Sequence, residues 1–435
     1  MNPPAAMTNS EPLNGNSTRR RKDAKTSGFW TAVAERSGDT AFRLWAAFSK
    51  RRGAALPAAL QKSFVQLGLA TLLPCAIAGR ARAEDHVDYR YEFYKEEGGR
   101  IEVETHSALF EKKLTDIVTV KGQVVYDAIS GASPNGAPPL TGNSQVPVKK
   151  LHDARRAGNL TFDLHLGRHT LSAQGSYSKE SDYISAGTAL TDAIEFNNKN
   201  TTLLLGVSHN FDRALDSSSP RNYRHKDGTD FLIGISQLLS PKTILAADFT
   251  YGTENGYMSD PYKLIQFDSW LPISFAFPEN RPGHRDKEVL QTTLTHFFDP
   301  LNASAEFSYR FYHDSYGIFS HTATATWHQK IGKHVVLSPT FRFYEQSEAD
   351  FYQTSVPGFF PSDGNPDRPQ YFSADYRLSQ LISLTYGLQA TIFIKDWLTL
   401  DLGYHRYEMY GLDSATSASA YPKANIYTIG MRVFF

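Results

Sequence analysis

Two series of charged and histidine side chains recur at every second position near residue 90 and carry the clearest chemistry in the sequence. They are Asp88, Arg90 and Glu92, followed by Glu102, Glu104 and His106. Since side chains alternate between the two faces of a β-strand, this spacing places each series on a single face. If both faces pointed into the lumen of a β-barrel, there would be two interpretations. They would form part of an ion or substrate path, or they would form a salt-bridged network that stiffens the wall. We favour the network.

The pairing of these two segments follows from charge. Residues directly opposite each other in an antiparallel pair share a face, and like charges placed there are destabilising. The register that opposes Arg90 to Glu104 and Asp88 to His106 avoids placing Glu92 opposite Glu104. The sequence therefore predicts this register, with a turn at residues 96–98.

Signals for enzymatic or metal chemistry are weak. The sequence has no nucleophile-elbow, zinc-protease, P-loop or cysteine-rich zinc motif. The hydrolase candidates are Ser320 with His321, and His209 and His296 on apolar faces, but a lone histidine there is more often a packed residue. The 14 histidines are scattered singly. We therefore expect no enzyme, no metal site and no cofactor.

The elements that would position these residues are best defined at the end of the sequence. Tyr427, Ile429, Met431 and Val433 alternate with mostly polar residues, and the last residue is Phe435. A final strand with one apolar face and a closing Phe resembles the C-terminal assembly signal of bacterial outer-membrane β-barrels. The alternative is that this segment forms the last strand of a soluble β-sandwich.

Charge divides the chain into a leader and a body. Residues 1–83 have 13 basic and four acidic side chains, a balance of +9, and the remainder has a balance of −9. Within residues 51–83 a basic stretch, a short apolar run and Ala81-Arg-Ala83 follow in the order of a secretory signal. We expect residues 1–50 to be a disordered or mis-annotated extension, 51–83 a signal peptide cleaved before Glu84, and 84–435 a barrel.

Alternation of apolar and polar residues continues through the body and predicts an all-β, transmembrane, antiparallel up-and-down barrel of about 16 strands. Seven links, every second one, are short, and the long ones fall between them, as barrels with short periplasmic turns and long outer loops require. The predicted strands cover 86–95, 99–112, 116–129, 158–166, 169–182, 187–197, 200–212, 228–239, 242–252, 286–298, 302–314, 317–330, 334–346, 377–393, 397–409 and 425–435.

The same alternation assigns further charged residues to the lumen, namely Asp163, Glu306, Arg310 and Arg342. Pro339 cannot donate to a strand ladder, so we expect a bulge or a shifted strand boundary there. The loop from 252 to 285 is rich in large apolar residues and includes the constriction candidates Phe267, Trp270 and Phe275. They would either insert at the upper rim of the lumen, which we favour, or form an outward docking hairpin.

Several stretches resemble a known family. These are Ala128-Ile-Ser-Gly-Ala-Ser-Pro-Asn-Gly-Ala-Pro-Pro139, Lys179-Glu-Ser-Asp-Tyr-Ile-Ser185, Tyr309-Arg-Phe-Tyr-His-Asp-Ser-Tyr-Gly-Ile-Phe-Ser-His-Thr322, Asp88-Tyr-Arg-Tyr-Glu-Phe-Tyr94 and Ala420-Tyr-Pro-Lys-Ala-Asn-Ile-Tyr427. They are similar to DUF3570, a family of exported bacterial proteins of unknown function. The resemblance covers residues 84–435 and implies an outer-membrane barrel, without a reaction or a ligand.

The sequence thus favours an outer-membrane channel, or the membrane component of an export or uptake path. The alternative is a non-transporting scaffold that docks partners through its outer loops, with a hydrolase third. The expected partners are outer-membrane lipid, lipopolysaccharide and the barrel assembly machinery, and no nucleic acid. Lys149-Lys150 and Arg155-Arg156 would contact lipopolysaccharide phosphates or form a solvated loop face.

We expect Phe435→Asp to block assembly into the membrane while leaving export intact, because a charge would interrupt the apolar face at its last position. The measurement is the amount of heat-modifiable barrel in outer-membrane fractions. Wild-type amounts from the Asp variant would contradict this interpretation.

Overall fold

A computed structural model describes residues 85–139, 143–217, 219–268, 275–361 and 363–435. The residues expected to form the extension and the signal peptide lie outside this part. The first half of the barrel consists of β1 (His86–Glu96), β2 (Glu102–Lys113), β3 (Val118–Pro134), β4 (Val148–Leu166), β5 (His169–Lys179), β6 (Tyr183–Phe196), β7 (Thr201–Asp216) and β8 (Ser219–Ser240).

The second half of the chain adds eight wall strands and three shorter ones. In chain order they are β9 (Thr243–Gly256), β10 (Leu264–Asp268), β11 (Phe275–Pro278), β12 (His284–Phe298), β13 (Ala303–Asp314), β14 (Phe319–Ile331), β15 (Val335–Gln346), β16 (Ser355–Pro357), β17 (Leu381–Lys395), β18 (Leu398–Gly411) and β19 (Lys423–Phe434). All except β10, β11 and β16 belong to one closed antiparallel barrel of 16 strands.

The barrel closes where the first strand pairs with the last. β1 runs antiparallel to β19 over its whole length, with Asp88 opposite Arg432. Every wall strand therefore has a neighbour on both sides, so the sheet has no open edge to template pairing with another chain. This closure confirms the predicted fold class and strand number.

The two ends of the barrel differ in their connections. At one end, here called the turn end, links such as 167–168 and 396–397 are only a few residues long. The opposite end, here called the loop end, has the longest links, 257–283 and 347–380. This is the asymmetry that the sequence predicted.

Two strands are longer than predicted. β4 begins at Val148 and β8 at Ser219, about nine residues earlier than the sequence pattern indicated. The added residues are largely polar, so they show no apolar alternation although their backbones pair. Lys149 and Arg155 therefore lie on a strand and face inward, which corrects the expectation that they belong to a loop.

Pro339 produces no bulge, contrary to expectation. Thr326 pairs with Thr340 and Gln329 with Leu337, so the register of β14 against β15 is the same on both sides of the proline. A side-chain hydrogen bond between His328 Nδ1 and Ser338 Oγ, 2.9 Å long, spans the interrupted ladder. The proline is thus accommodated by local loss of pairing.

The outer face of the barrel is apolar and the inner face is polar. Aliphatic and aromatic side chains exposed on the outside include Val87, Tyr89, Phe110, Val124, Leu160, Phe162, Leu190, Leu205, Phe231, Ile233, Phe249, Leu290, Phe307, Phe341, Leu402, Tyr427, Ile429 and Met431. An exposed apolar surface that extends around the barrel indicates a lipid-facing wall, because soluble proteins rarely expose large apolar patches.

Helical structure is minor in the described residues. It consists of single 3-10 turns, among them Glu97–Gly99 between β1 and β2 and Tyr376–Leu378 before β17. None of the helices in these ranges is long and apolar enough to cross a membrane.

The predicted register of the first hairpin is wrong. Arg90 lies opposite Ser107 and Tyr91 opposite His106, so the position numbers of paired residues sum to an odd value. The connection covers 97–101, longer than predicted, and its Gly98 and Gly99 adopt left-handed backbone angles that other residues disfavour. The longer turn shifts β2 so that Ser107 shares the inner face with Arg90.

The altered register also moves three lumen candidates to the outside. Glu102, Glu104 and His106 share the outer face with Tyr89 and Tyr91. Tyr89 bonds His106 through an oxygen–nitrogen contact of 2.8 Å, and Glu102 forms an ion pair of 2.7 Å with Lys95. These residues lie in the part of β2 nearest the loop end. Their polar groups lie beside tyrosines on the outer face and do not face the lumen.

We expect Arg432→Met to destabilise the barrel at its closing seam. The side chain of Arg432 is 1% exposed and forms an ion pair with Asp88 across the seam. Removing one partner of a buried pair costs about 3–5 kcal/mol. Urea unfolding in detergent measures this loss, and Lys333→Met, in an exposed turn, is the control. Equal stability of the two variants would contradict the role of the seam.

Candidate functional site

Two long loops cover the loop end of the barrel and are joined by a small sheet. β10 pairs antiparallel with β11 inside the loop 257–283, and parallel with β16 from the loop 347–380. We call these two loops together the plug. Because backbone hydrogen bonds connect them, they form one unit instead of two independent flaps.

The plug has its own apolar core. Ile265 and Phe267 are fully buried and contact Val356 and Phe372 from the other loop. The apolar residues of this loop therefore pack against the second loop. Phe267 thus packs inside the plug instead of narrowing a pore.

The other constriction candidates are placed differently. Phe275 lies opposite Phe267 in the β10–β11 pair, but 45% of it is exposed. Trp270 lies outside the described residues. The described residues therefore do not form a constriction lined by these three aromatic side chains.

A buried network of charges joins the two loops below this sheet. Arg377 donates to Asp375 and, at 2.8 Å, to Asp260. Arg281 donates to Asp375 at 2.8 Å and to Glu279 at 3.0 Å. Since four of these side chains are essentially inaccessible, each charge depends on its partners to offset the cost of leaving water.

Electrostatics hold the Asp375 carboxylate of this network ionised. Burial alone would raise the pKa of Asp375, but Arg377, Lys263 and Arg281 outweigh burial and bring that pKa far below its usual range. The stability that Asp375 contributes is therefore fully present above its ordinary pKa of 3.8 and is lost progressively at lower pH.

Hydrogen bonds fix the plug to several parts of the wall. Lys263 Nζ donates to the Pro134 carbonyl at 2.6 Å, at the end of β3. The Gln346 side chain of β15 donates to the Arg377 carbonyl at 2.9 Å. The Tyr257 hydroxyl donates to Ser217 Oγ at 2.7 Å, next to β7. These contacts attach the plug to the wall in three separate sectors.

A cavity of about 560 Å³ lies between the plug and the inner wall. Met258, Asp260, Arg281 and Arg377 border it on the plug side. The wall side is formed by inward residues of strands from β3 to β18. We call this cavity the chamber.

Charged side chains of both signs line the chamber. Glu180 and Asp212 lie on the side of β5 to β7, whereas Arg310 and Arg342 lie on the side of β13 to β15. Between them, Lys287 Nζ contacts Glu254 at 2.9 Å. Arg155 of β4 and Lys226 of β8 also line the chamber, so the side of β4 to β8 carries charges of both signs.

The sequence-predicted lumen residues fall into two groups. Arg310 and Arg342 line the chamber. Asp88, Arg90, Glu92, Asp163 and Glu306 also lie on inward strand positions, but they do not border the chamber. The structure thus brings only the two arginines to the cavity.

The hydrolase candidates do not come together. Ser320 is buried on the inner face and lines the chamber, whereas the neighbouring His321 lies on the outer face, bonded to the Tyr309 hydroxyl at 2.6 Å. His296 contacts Thr243 Oγ1 at 2.8 Å, and His209 contacts Thr229 Oγ1 at 2.8 Å. These histidines satisfy their ring nitrogens on the wall.

The most interconnected residues of this region escaped sequence reasoning. Asp260 and Arg377 are 117 positions apart, and no periodic pattern links them. The one available signal was the high density of charge in two loops that also carry large apolar residues. Such a mixture indicates a loop with a buried interior.

A protein-family model matches most of this chain. A family model described as "Protein of unknown function (DUF3570)" matches residues 65–218 and 208–419. The chain belongs to the DUF3570 family. This confirms the resemblance found in the sequence, and no curated protein matches the chain.

Solved structures similar to this DUF3570 member include three outer-membrane proteins. The siderophore receptor PirA from Pseudomonas aeruginosa is 10% identical, with a TM-score of 0.38 over 81% of this chain, and the chain spans 62% of that receptor. A bacterial polysaccharide outer membrane secretin is 9% identical, with a TM-score of 0.44, covering 81% and 98% of the two chains. OmpT of Vibrio cholerae is 8% identical, with a TM-score of 0.40, covering 82% and 99%.

We expect Arg377→Met to loosen the plug without opening the barrel wall. Asp375 and Asp260 would lose a buried partner, at a cost of about 3–5 kcal/mol. Limited proteolysis of the two loops measures the effect, which should be cleavage many times faster than in the wild type. Glu348→Gln is the control, because Glu348 is an exposed charged residue of the same loop. Equal cleavage rates in both variants would contradict the role of the network.

Proposed function

We infer that this protein is an outer-membrane channel for hydrophilic solutes, with its outer mouth closed by the plug in the conformation described. The observation that carries the proposal is the combination of a polar inner wall with a chamber that lies between this wall and the plug. The loop end faces outward, and the turn end faces the periplasm. The apolar outer face supports the membrane location.

The polarity of the inner wall supports a channel. Many inward positions hold small uncharged side chains, among them Ser107, Thr161, Ser172, Thr191, Ser208, Thr293, Ser308 and Thr324. A polar inner wall is typical of barrels that conduct hydrophilic solutes. These side chains are buried in the conformation described, so conduction requires a path to open beyond the chamber.

The docking alternative loses its main support. It required the apolar residues of the loop 252–285 to be available to a partner. Ile265 and Phe267 are instead fully buried against the second loop. These two residues are therefore explained by the plug, whereas Phe275 stays 45% exposed.

Removal of the β10–β11 hairpin tests the channel directly. The backbone N–H of Glu279 donates to the Lys263 carbonyl at 3.2 Å, so the ends of residues 264–278 are adjacent in space. Replacing 264–278 by two glycines therefore preserves both flanks of the cut. We expect a several-fold higher single-channel conductance in planar bilayers than for the wild type.

A pair of point variants serves as the control for this deletion. Phe267→Ala removes a fully buried ring and should destabilise the plug by about 3–5 kcal/mol, increasing the open fraction. Phe275, which pairs with Phe267 on the opposite strand, is 45% exposed. The Phe275→Ala variant should therefore conduct like the wild type. A correctly inserted deletion variant that stays silent would rule out the channel and favour a scaffold.

A further inference from the structure

Three acidic side chains meet at the loop end, where β4 passes the link between β5 and β6. They are Asp153 of β4 and Glu180 and Asp182 of the link. One carboxylate oxygen from each lies within 4.8 Å of the others. Oxygens that coordinate one Ca²⁺ at about 2.3–2.6 Å lie within this separation.

These carboxylates are buried. Asp153, Glu180 and Asp182 are 8%, 6% and 1% exposed. Neither oxygen of Asp182 has a hydrogen-bond partner, and Glu180 Oε2 also lacks one. A buried carboxylate without donors is costly, because nothing replaces the water that it lost.

A fourth oxygen faces the cluster from the plug. Tyr262, in the loop 257–283, is 4% exposed, and its hydroxyl faces Asp182 without a hydrogen bond of normal geometry. Lys149 Nζ lies 4.6 Å from the centre of the Tyr262 ring and holds it in place. An unsatisfied hydroxyl from a separate element therefore borders the same small volume.

Neighbouring protein charges do not balance the cluster. Arg155 attracts Glu180, but its guanidinium is also ion-paired with Asp127 at 2.7 Å. Asp260 of the plug adds a further negative charge close to Asp182. A single arginine shared in this way cannot neutralise three adjacent carboxylates.

We propose that Asp153, Glu180 and Asp182 bind a divalent cation, with Ca²⁺ the best fit, at the junction of the wall and the plug. Ca²⁺ accepts several carboxylate oxygens in flexible geometry, whereas Mg²⁺ demands a tighter octahedral arrangement. Asp153 is oriented by Ser181, whose hydroxyl donates to its Oδ2 at 2.6 Å. The site does not depend on the barrel being a channel.

Competition with protons provides a second signature of the site. Carboxylates bind a metal in their deprotonated form, so Ca²⁺ affinity should rise with pH.

The test uses full-length protein purified from outer membranes in detergent and stripped with a chelator. Isothermal titration with Ca²⁺ should give one site per chain, with affinity that increases from pH 6 to pH 8. Asp182→Asn and Glu180→Gln should each weaken binding at least tenfold. Asp116→Asn removes an exposed carboxylate at the turn end and is the matched control.

Tb³⁺ supplies an independent readout of position. Excitation of tyrosine should sensitise the luminescence of bound Tb³⁺, Ca²⁺ should displace it, and Tyr262→Phe should reduce the signal. Heat modifiability shows that each variant has folded. Wild-type protein that binds no Ca²⁺ at millimolar concentration, or Asp182→Asn and Glu180→Gln variants that bind it as tightly as the wild type, would overturn the proposal.

Discussion

The closing contact between the first and last strands is the constraint on which the rest of the molecule depends. Asp88 and Arg432 meet across that seam with Arg432 almost completely buried. Once the seam is fixed, pairing around the ring assigns every other wall residue to the lumen or to the lipid. The polar interior, the apolar belt and the diameter of the mouth all follow from this one register.

The strands were predictable because lipid and water impose opposite demands on alternate residues. That pressure acts only where a strand crosses the apolar layer. It vanishes near the loop end, where β4 and β8 extend beyond their predicted starts and where Glu104 and His106 turned out to lie on the outer face. Charge pairing alone could not identify their register, since the length of a glycine turn decided it.

The plug and its chamber were beyond sequence reasoning for a different reason. Their contacts join residues far apart in the chain, such as Asp260 with Arg377 and Ile265 with Val356. No local periodicity encodes such contacts, because they arise only when the wall brings the loops together. The apolar content of one loop was visible in the sequence, but the segment that it packs against was not.

The parallel pairing of β10 with β16 has a consequence for the biogenesis of the barrel. These two strands are separated in the chain by four wall strands, β12 to β15. Contacts between distant segments form slowly, because a long loop of chain must first be closed. Pairing of β10 with β16 must therefore wait until the segment that contains β12 to β15 has been placed. We expect the two loops to stay apart until that stage of assembly.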